Sequence, residues 1–168
     1  MEYTITRATP EDAAELLAVL KQVGWESDNL SFGPEGLPFT VEEEGAYLAN
    51  LQHSATSAFF VAKKDGKIVG NASFMAVNGP RMNHRGELGM SIVRSEWGKG
   101  VGTALVEAIL DFARNTAGAK IISMEVRSDN TRAIRLCEKY GARKIGTFPG
   151  FFQMDGQLID FDLMYLYL

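Results

Sequence analysis

The segment Trp97-Gly98-Lys99-Gly100-Val101-Gly102 places three glycines and a lysine directly ahead of an apolar helical repeat running from Thr103 to Arg114. At a helix start the first backbone N–H groups have no carbonyl partner and lie at the positive end of the helix dipole. Glycines let a phosphate approach those amides without meeting a side chain, so a glycine loop between strand and helix makes an anion site. Lys99 adds a flexible positive charge at the rim. A Walker loop needs Gly-x-x-x-x-Gly-Lys-Ser/Thr, and this segment has no such Lys-Ser/Thr pair. The dinucleotide fingerprint would accept Gly98 and Gly100 but meets Thr103 or Ala104 where its last glycine belongs. Taken alone, the loop reads equally as an anion site or as a helix packed closely on its strand through small residues.

The elements that must hold this loop follow from periodicity. Glu2 to Arg7 alternates as a first strand. Thr9-Pro10-Glu11-Asp12 supplies a capping hydroxyl, a proline at the first helical position and acids in the first turn, with Leu16, Leu17, Leu20 and Val23 as the apolar face. Gly24 to Phe39 has no period and is the longest irregular stretch. Thr40-Val41-Glu42-Glu43 resembles a capping box for a second helix, with Tyr47, Leu48 and Leu51 inward. Ser57 to Lys63 and Lys67 to Val77 form a hairpin through Asp65-Gly66. After the polar Asn78 to Gly86, the short apolar run Leu88 to Val93 reads as a central strand leading to the glycine loop. Lys120 to Val126 is a further strand, and Asn130 to Tyr140 a helix stopped by Gly141. Arg143 to Phe152 and Leu158 to Leu166 close the chain as a hairpin around Asp155-Gly156. The sum is a mixed α/β arrangement of one domain over residues 1–168.

Composition narrows the function classes. The 168 residues are 46% apolar and 23% charged, an ordinary balance for a globular protein. A net charge of −4 without a basic stripe argues against nucleic acid as a partner. No run reaches the apolar length of a bilayer span, and the alternating start is not a signal-peptide core. With Cys137 as the single cysteine there is no internal disulfide, and a cytoplasmic location is expected.

A second segment gives the loop its context. Glu125-Val126-Arg127-Ser128-Asp129-Asn130 ends a strand, and a helix then carries Ala133, Leu136, Cys137, Tyr140 and Gly141. The chain here resembles the GNAT superfamily of acyl-CoA N-acyltransferases, whose loop reads Gln/Arg-x-x-Gly-x-Gly/Ala. That superfamily's second signature is Glu-Val-Arg-x-x-Asn, then a helix with Ala-x-x-Leu-Tyr-x-x-x-Gly-Phe. Gly100 and Gly102 match the first signature, and the two occur in the right order over nearly the whole chain. The chain departs at Trp97, where Gln or Arg is usual, and at Cys137, where the tyrosine is usual. The resemblance implies a mixed, mostly antiparallel central sheet with a splayed strand pair, flanked by about four helices.

It also implies roles for individual residues. Met90, Ser91 and Ile92 would be the splayed strand that pairs with the pantetheine arm of acetyl-CoA. The amides of Gly98, Lys99, Gly100, Val101, Gly102 and Thr103 would hold its pyrophosphate. Asn130 would hydrogen-bond the pantetheine region, although a plain helix cap explains it as well. Glu125 and Glu87 compete as general base, with His84 a weaker third. Cys137 stands where the general acid belongs, with Tyr140 or a water as substitutes and a small buried apolar residue as the bland reading. The implied reaction is direct transfer to a primary amine of a small molecule or peptide, without a metal. The alternative is a CoA-binding module with little or no transfer. A homodimer is compatible with the resemblance.

Overall fold

A computed structural model describes residues 3–168, so Met1, and Glu2 at the start of the expected first strand, lie outside the described residues. Seven strands form one sheet in the order β1-β2-β3-β4-β5-β7-β6. They are β1 Thr4–Arg7, β2 Ala58–Lys64, β3 Lys67–Ala76, β4 Arg85–Ile92, β5 Ile121–Arg127, β6 Arg143–Met154 and β7 Gln157–Tyr167. Among the described residues four α-helices accompany them: α1 Ala13–Glu26, α2 Val41–Gln52, α3 Val101–Asn115 and α4 Thr131–Lys139. Both Asp-Gly pairs make the two-residue hairpins expected of them. Asp65 and Gly66 have φ of 51° and 78°, and Asp155 and Gly156 have 50° and 77°.

Two compact units divide the chain: Met1–Met75 with Leu88–Gly118, and Ala76–Glu87 with Ala119–Leu168. In the first, β1 and β3 flank β2 antiparallel. Adjacent β2 residues serve opposite faces, as the pleat requires. Val61 joins Leu16, Leu20, Val23 and Leu48 in a core under α1 and α2. Phe60 and Phe74 meet Phe112 of α3 edge-on, at centroid distances of 6.3 and 6.2 Å. Fully burying a side chain such as Leu48 or Leu105 contributes roughly 1.5–3 kcal/mol.

The capping box of α2 forms as expected. The Glu43 N–H donates to Thr40 Oγ1 at 3.1 Å, and the Thr40 N–H donates to Glu43 Oε2 at 2.8 Å. The inward face of α2 differs from expectation at one place. Leu48 is buried, but Tyr47 is 43% exposed and Glu44, one turn before Leu48, takes the inward position at 2%. Residues four apart share a helix face, and Glu44 is in register with Leu48 where Tyr47 is not.

In the second unit, β4 begins at Arg85 rather than Leu88. Arg85, Gly86 and Glu87 pair in parallel with Ile121, Ile122 and Ser123, a long-range register that the local pattern around Gly86 does not announce. β5 pairs antiparallel with β7, and β7 with β6 at the sheet edge. None of the nine residues of α4 is buried. Among the described residues no helix is long and apolar enough to cross a membrane, and no group of His, Cys, Asp or Glu is arranged to hold a metal ion.

Candidate active site

The first unit carries the glycine loop. β4 ends at Ile92, a short turn over Arg94–Glu96 follows, and α3 starts at Val101. Gly98 and Gly100 have φ of 73° and 95°, in the left-handed region, and a Cβ placed on either would meet nothing within 4 Å. These glycines are therefore needed for backbone conformation, and the space above them is open. Gly100 is the N-cap of α3 and no side chain caps that end, so the first helical amides keep their donors for another acceptor.

Two side chains fix the loop, and the second of them, Glu96, was not singled out from the sequence. Trp97, the departure from the usual Gln or Arg, donates its indole N–H to the Ile92 carbonyl at 2.7 Å and so ties the loop to the end of β4. Glu96 is buried and accepts from the Tyr3 hydroxyl at 2.7 Å and from Lys64 Nζ at 2.9 Å. The Lys64 and Tyr3 hydrogen bonds hold its carboxyl down at about 2. Lys99 lies 3.6 Å from the same carboxylate with its side chain half exposed, at the rim where the sequence put it.

The strand residues ahead of the loop are held from one side. Ser91 is buried and accepts a hydrogen bond from Asn71 Nδ2 at 2.8 Å, while Met90 and Ile92 are partly exposed. The Val93 N–H donates to the Val69 carbonyl at 3.0 Å. A Cβ on Gly70 would come within 3.1 Å of Ile92 Cγ1 and 3.4 Å of Leu105 Cδ1, so this glycine lets β4 and α3 close on β3.

The second unit brings together both carboxylates expected as bases. Glu87 is opposite Ser123 in the parallel register, and Glu125 lies two residues further along β5, so all three side chains share one face. Both glutamates are exposed. Even so, partial loss of water around Glu125 and, next, the negative charge of Glu87 raise its carboxyl above the usual range. His84 is exposed in the preceding turn.

Asn130 caps α4, its Oδ1 accepting from the Ala133 N–H at 3.3 Å. That bond uses the oxygen and leaves the amide nitrogen as the donor a ligand could meet. The turn leading to it is set by Asp162, which the sequence reading did not single out. This buried carboxylate accepts from Ser128 Oγ at 2.7 Å and Thr147 Oγ1 at 3.1 Å, and pairs with Lys144 at 3.0 Å. An aspartate within the apolar alternation of β7 was the available signal. Cys137 is partly exposed on α4, and burial of its thiol, with the charge of Glu138, pushes its pKa up to about 11. Tyr140 caps the far end of α4, with Lys139 Nζ 5.4 Å from its ring centroid.

Residues 25–142 match the model of the acetyltransferase (GNAT) family. The chain is 30% identical to the acetyltransferase of GNAT family from Streptococcus pneumoniae, with a TM-score of 0.96 over 99% of this chain and 100% of that one. The fold is shared with the Salmonella typhimurium protein yncA, solved with its cofactor acetyl-CoA: TM-score 0.85, 20% identity, 99% of this chain and 94% of that one. Over 101 residues the chain is 31% identical to the L-amino acid N-acetyltransferase AaaT of Escherichia coli, which covers 60% of this chain and 62% of that protein. The chain spans less than two thirds of the length of some curated relatives it matches. The seven-stranded, mostly antiparallel sheet with four helices is the GNAT fold.

Proposed function

Because this chain belongs to the acetyltransferase (GNAT) family, we propose that it transfers an acetyl group from acetyl-CoA directly to a primary amine of a small molecule or peptide. The observation that carries this reading is the pairing of Glu87 with Glu125, which adds proton chemistry to a chain that also has an anion-binding loop. Acetyl-CoA supplies the activated acyl group. The amides of Gly98 to Thr103 hold its pyrophosphate with Lys99 at the rim, and the backbone of Met90 to Ile92 pairs with the pantetheine arm. The amide nitrogen of Asn130 donates to that arm. An N–H near Ile92 faces the developing oxyanion.

Attack by the amine forms a C–N bond, breaks the C–S bond and releases one proton from nitrogen. Glu125 takes that proton, since a raised carboxylate is the better matched base; partial loss of water raises it first and the charge of Glu87 adds to that. A thiol pushed up to about 11 is a poor donor to a leaving thiolate of ordinary pKa about 8.5. Protonation of the sulfur therefore falls to Tyr140 or a water. The same property of Cys137 favours the second reading, a CoA-binding module with little transfer.

A thiol-release assay over a panel of amines separates the two readings. Binding of acetyl-CoA with no release on any acceptor leaves only the module. In an active protein, kcat/KM should fall on the acid side as Glu125 protonates, at a pH above the usual carboxylate range. Glu87→Gln should move that limb to lower pH. Glu125→Gln should remove the limb and cut kcat about 100-fold or more. A Glu125→Gln protein with unchanged kcat would end its assignment as base.

A further inference from the structure

Among the described residues seven polar or charged side chains are buried: Asp12, Glu44, Asn71, Ser91, Glu96, Ser123 and Asp162. Six have hydrogen-bond partners within the fold. Asp12 takes Lys63 at 2.6 Å, Asn71 and Ser91 take each other, Glu96 takes Tyr3 and Lys64, Ser123 donates to the Gly86 carbonyl, and Asp162 takes Ser128 and Thr147. Glu44 is the exception. The residue is 2% exposed, its carboxyl has neither a hydrogen bond nor an ion pair among the described residues, and its oxygens are not among the fully enclosed atoms, so a narrow opening reaches them. Buried polar groups are nearly always satisfied, so one left without a partner calls for a ligand or another explanation.

Lysines and an arginine on the strands near α2 have other partners. Lys63 of β2 pairs with Asp12, and Lys64 pairs with Glu96. Arg7 of β1 gives its guanidinium to the carbonyls of Leu51, Ser54 and Ser57. The neighbour of Glu44 that matters is Tyr47, three residues on and under the influence of its charge. Tyr47 is half-exposed, and its hydroxyl donates to Met75 Sδ at 3.7 Å. Met75 shares a face of β3 with Ser73 and Asn71. Ser73 Oγ lies where a Cβ on Gly89 would be only 3.2 Å away, and Asn71 holds Ser91. The Glu44–Tyr47 edge of α2 is thus joined, through Tyr47, to the face of β3 that lies beside β4 at Gly89 and Ser91.

We propose that Glu44, with the Tyr47 ring beside it, is the recognition site for a positively charged nitrogen of the acceptor. This rests on the proposed amine acetylation and names what the acceptor must carry. A buried carboxylate next to an aromatic ring provides an ion pair and a cation–π contact for an ammonium or guanidinium group. The positive group is either the nitrogen that will react or a second cation on the same molecule. A second cation is the better fit, because a carboxylate holding the reacting nitrogen would favour its unreactive protonated form.

The test uses the full chain with glutamate carboxyls labelled with 13C, the Glu44 signal being assigned by its loss in Glu44→Gln. The probes are n-butylamine, 1,4-diaminobutane and uncharged n-butanol. The expected result is a shift of the Glu44 signal with the diamine, and no shift with butanol. A shift with the monoamine as well would identify the reacting nitrogen as the group held. In the transfer assay, Glu44→Gln should raise KM for cationic acceptors at least about tenfold with kcat within about twofold. Its Tm should equal or exceed that of the parent, because an unpaired buried carboxyl is removed. Glu42→Gln, an exposed change on the same helix, should alter neither KM nor the signal.

A Glu44 signal that no cation moves overturns the proposal, as does an unchanged KM for every accepted amine in Glu44→Gln. If the parent protein transfers acetyl to no amine, the proposed reaction fails. The carboxyl signal then decides alone whether Glu44 binds cations.

Discussion

The two strand–turn–helix junctions are built alike and finished differently. Each turn hangs on a buried carboxylate with three partners: Glu96 ahead of α3, held by Tyr3, Lys64 and Lys99, and Asp162 behind the turn ahead of α4, held by Ser128, Thr147 and Lys144. At α4 the helix start is closed by its own Asn130 side chain. At α3 it is left uncapped, with glycines at φ of 73° and 95°. Uncapped helix starts lose stability, commonly about 1 kcal/mol, and in the proposed function an external anion offsets that loss at α3. Under the proposed function, the open α3 start is the one that receives the pyrophosphate.

The harshest way to break this contrast is to put a branched side chain at the open end. Gly100→Val forces a β-branched residue into the left-handed region, at a cost of about 1–2 kcal/mol, and fills the space above the first α3 amides. Acetyl-CoA should then protect the protein against heat far less, with its Kd raised more than tenfold. Thermal shift with and without the cofactor reads both effects. Parental affinity in a folded Gly100→Val protein would show that these amides do not hold the pyrophosphate.

A smaller effect, confined to acid, tests the anchors. Glu96 titrates at about 2 in the folded protein and near 4.5 when free, so its contribution is complete above 4.5 and disappears as pH falls toward 2. Asp162 is also lowered, chiefly by its hydrogen bond from Ser128. Glu96→Gln and Asp162→Asn should each be less stable than the parent at pH 7 and flatten its loss of stability in acid. Denaturant unfolding at pH 7 and pH 3 measures the difference. The parent and a variant losing stability equally over that interval would mean the carboxylate is not the anchor.

The sequence made this contrast only half visible. Hairpins at Asp65-Gly66 and Asp155-Gly156, the Thr40 capping box and the apolar stripe of α3 are local, so residue type and spacing were enough to find them. The glycine loop and the Glu125 to Gly141 signature were likewise contiguous. What escaped was long-range. Glu96 looks like any acid ahead of a helix until Tyr3 and Lys64 reach it from more than thirty residues away. The parallel pairing of Arg85 to Glu87 with β5 puts Glu87 and Glu125 on one face, a relation no local period encodes. Glu44 was passed over because helical acids are usually solvated, and only packing shows that it faces inward.

The mildest change bears on whether the α4 junction is as self-contained as its cap suggests. Asn130→Ala removes the bond to the Ala133 N–H and should cost about 1 kcal/mol, or a Tm fall of about 2–4 °C for a chain of this size. α4 has no buried residue of its own to compensate, so the loss should be felt in full. Asn130→Asp then separates the two roles of this side chain. An aspartate caps as well as asparagine through its oxygen but has no N–H to give a ligand. If the amide nitrogen of Asn130 also holds acetyl-CoA, Asn130→Asp should recover the Tm while KM for acetyl-CoA stays several-fold high. Recovery of both would make Asn130 a cap and nothing more, and the α4 junction would be closed to the cofactor.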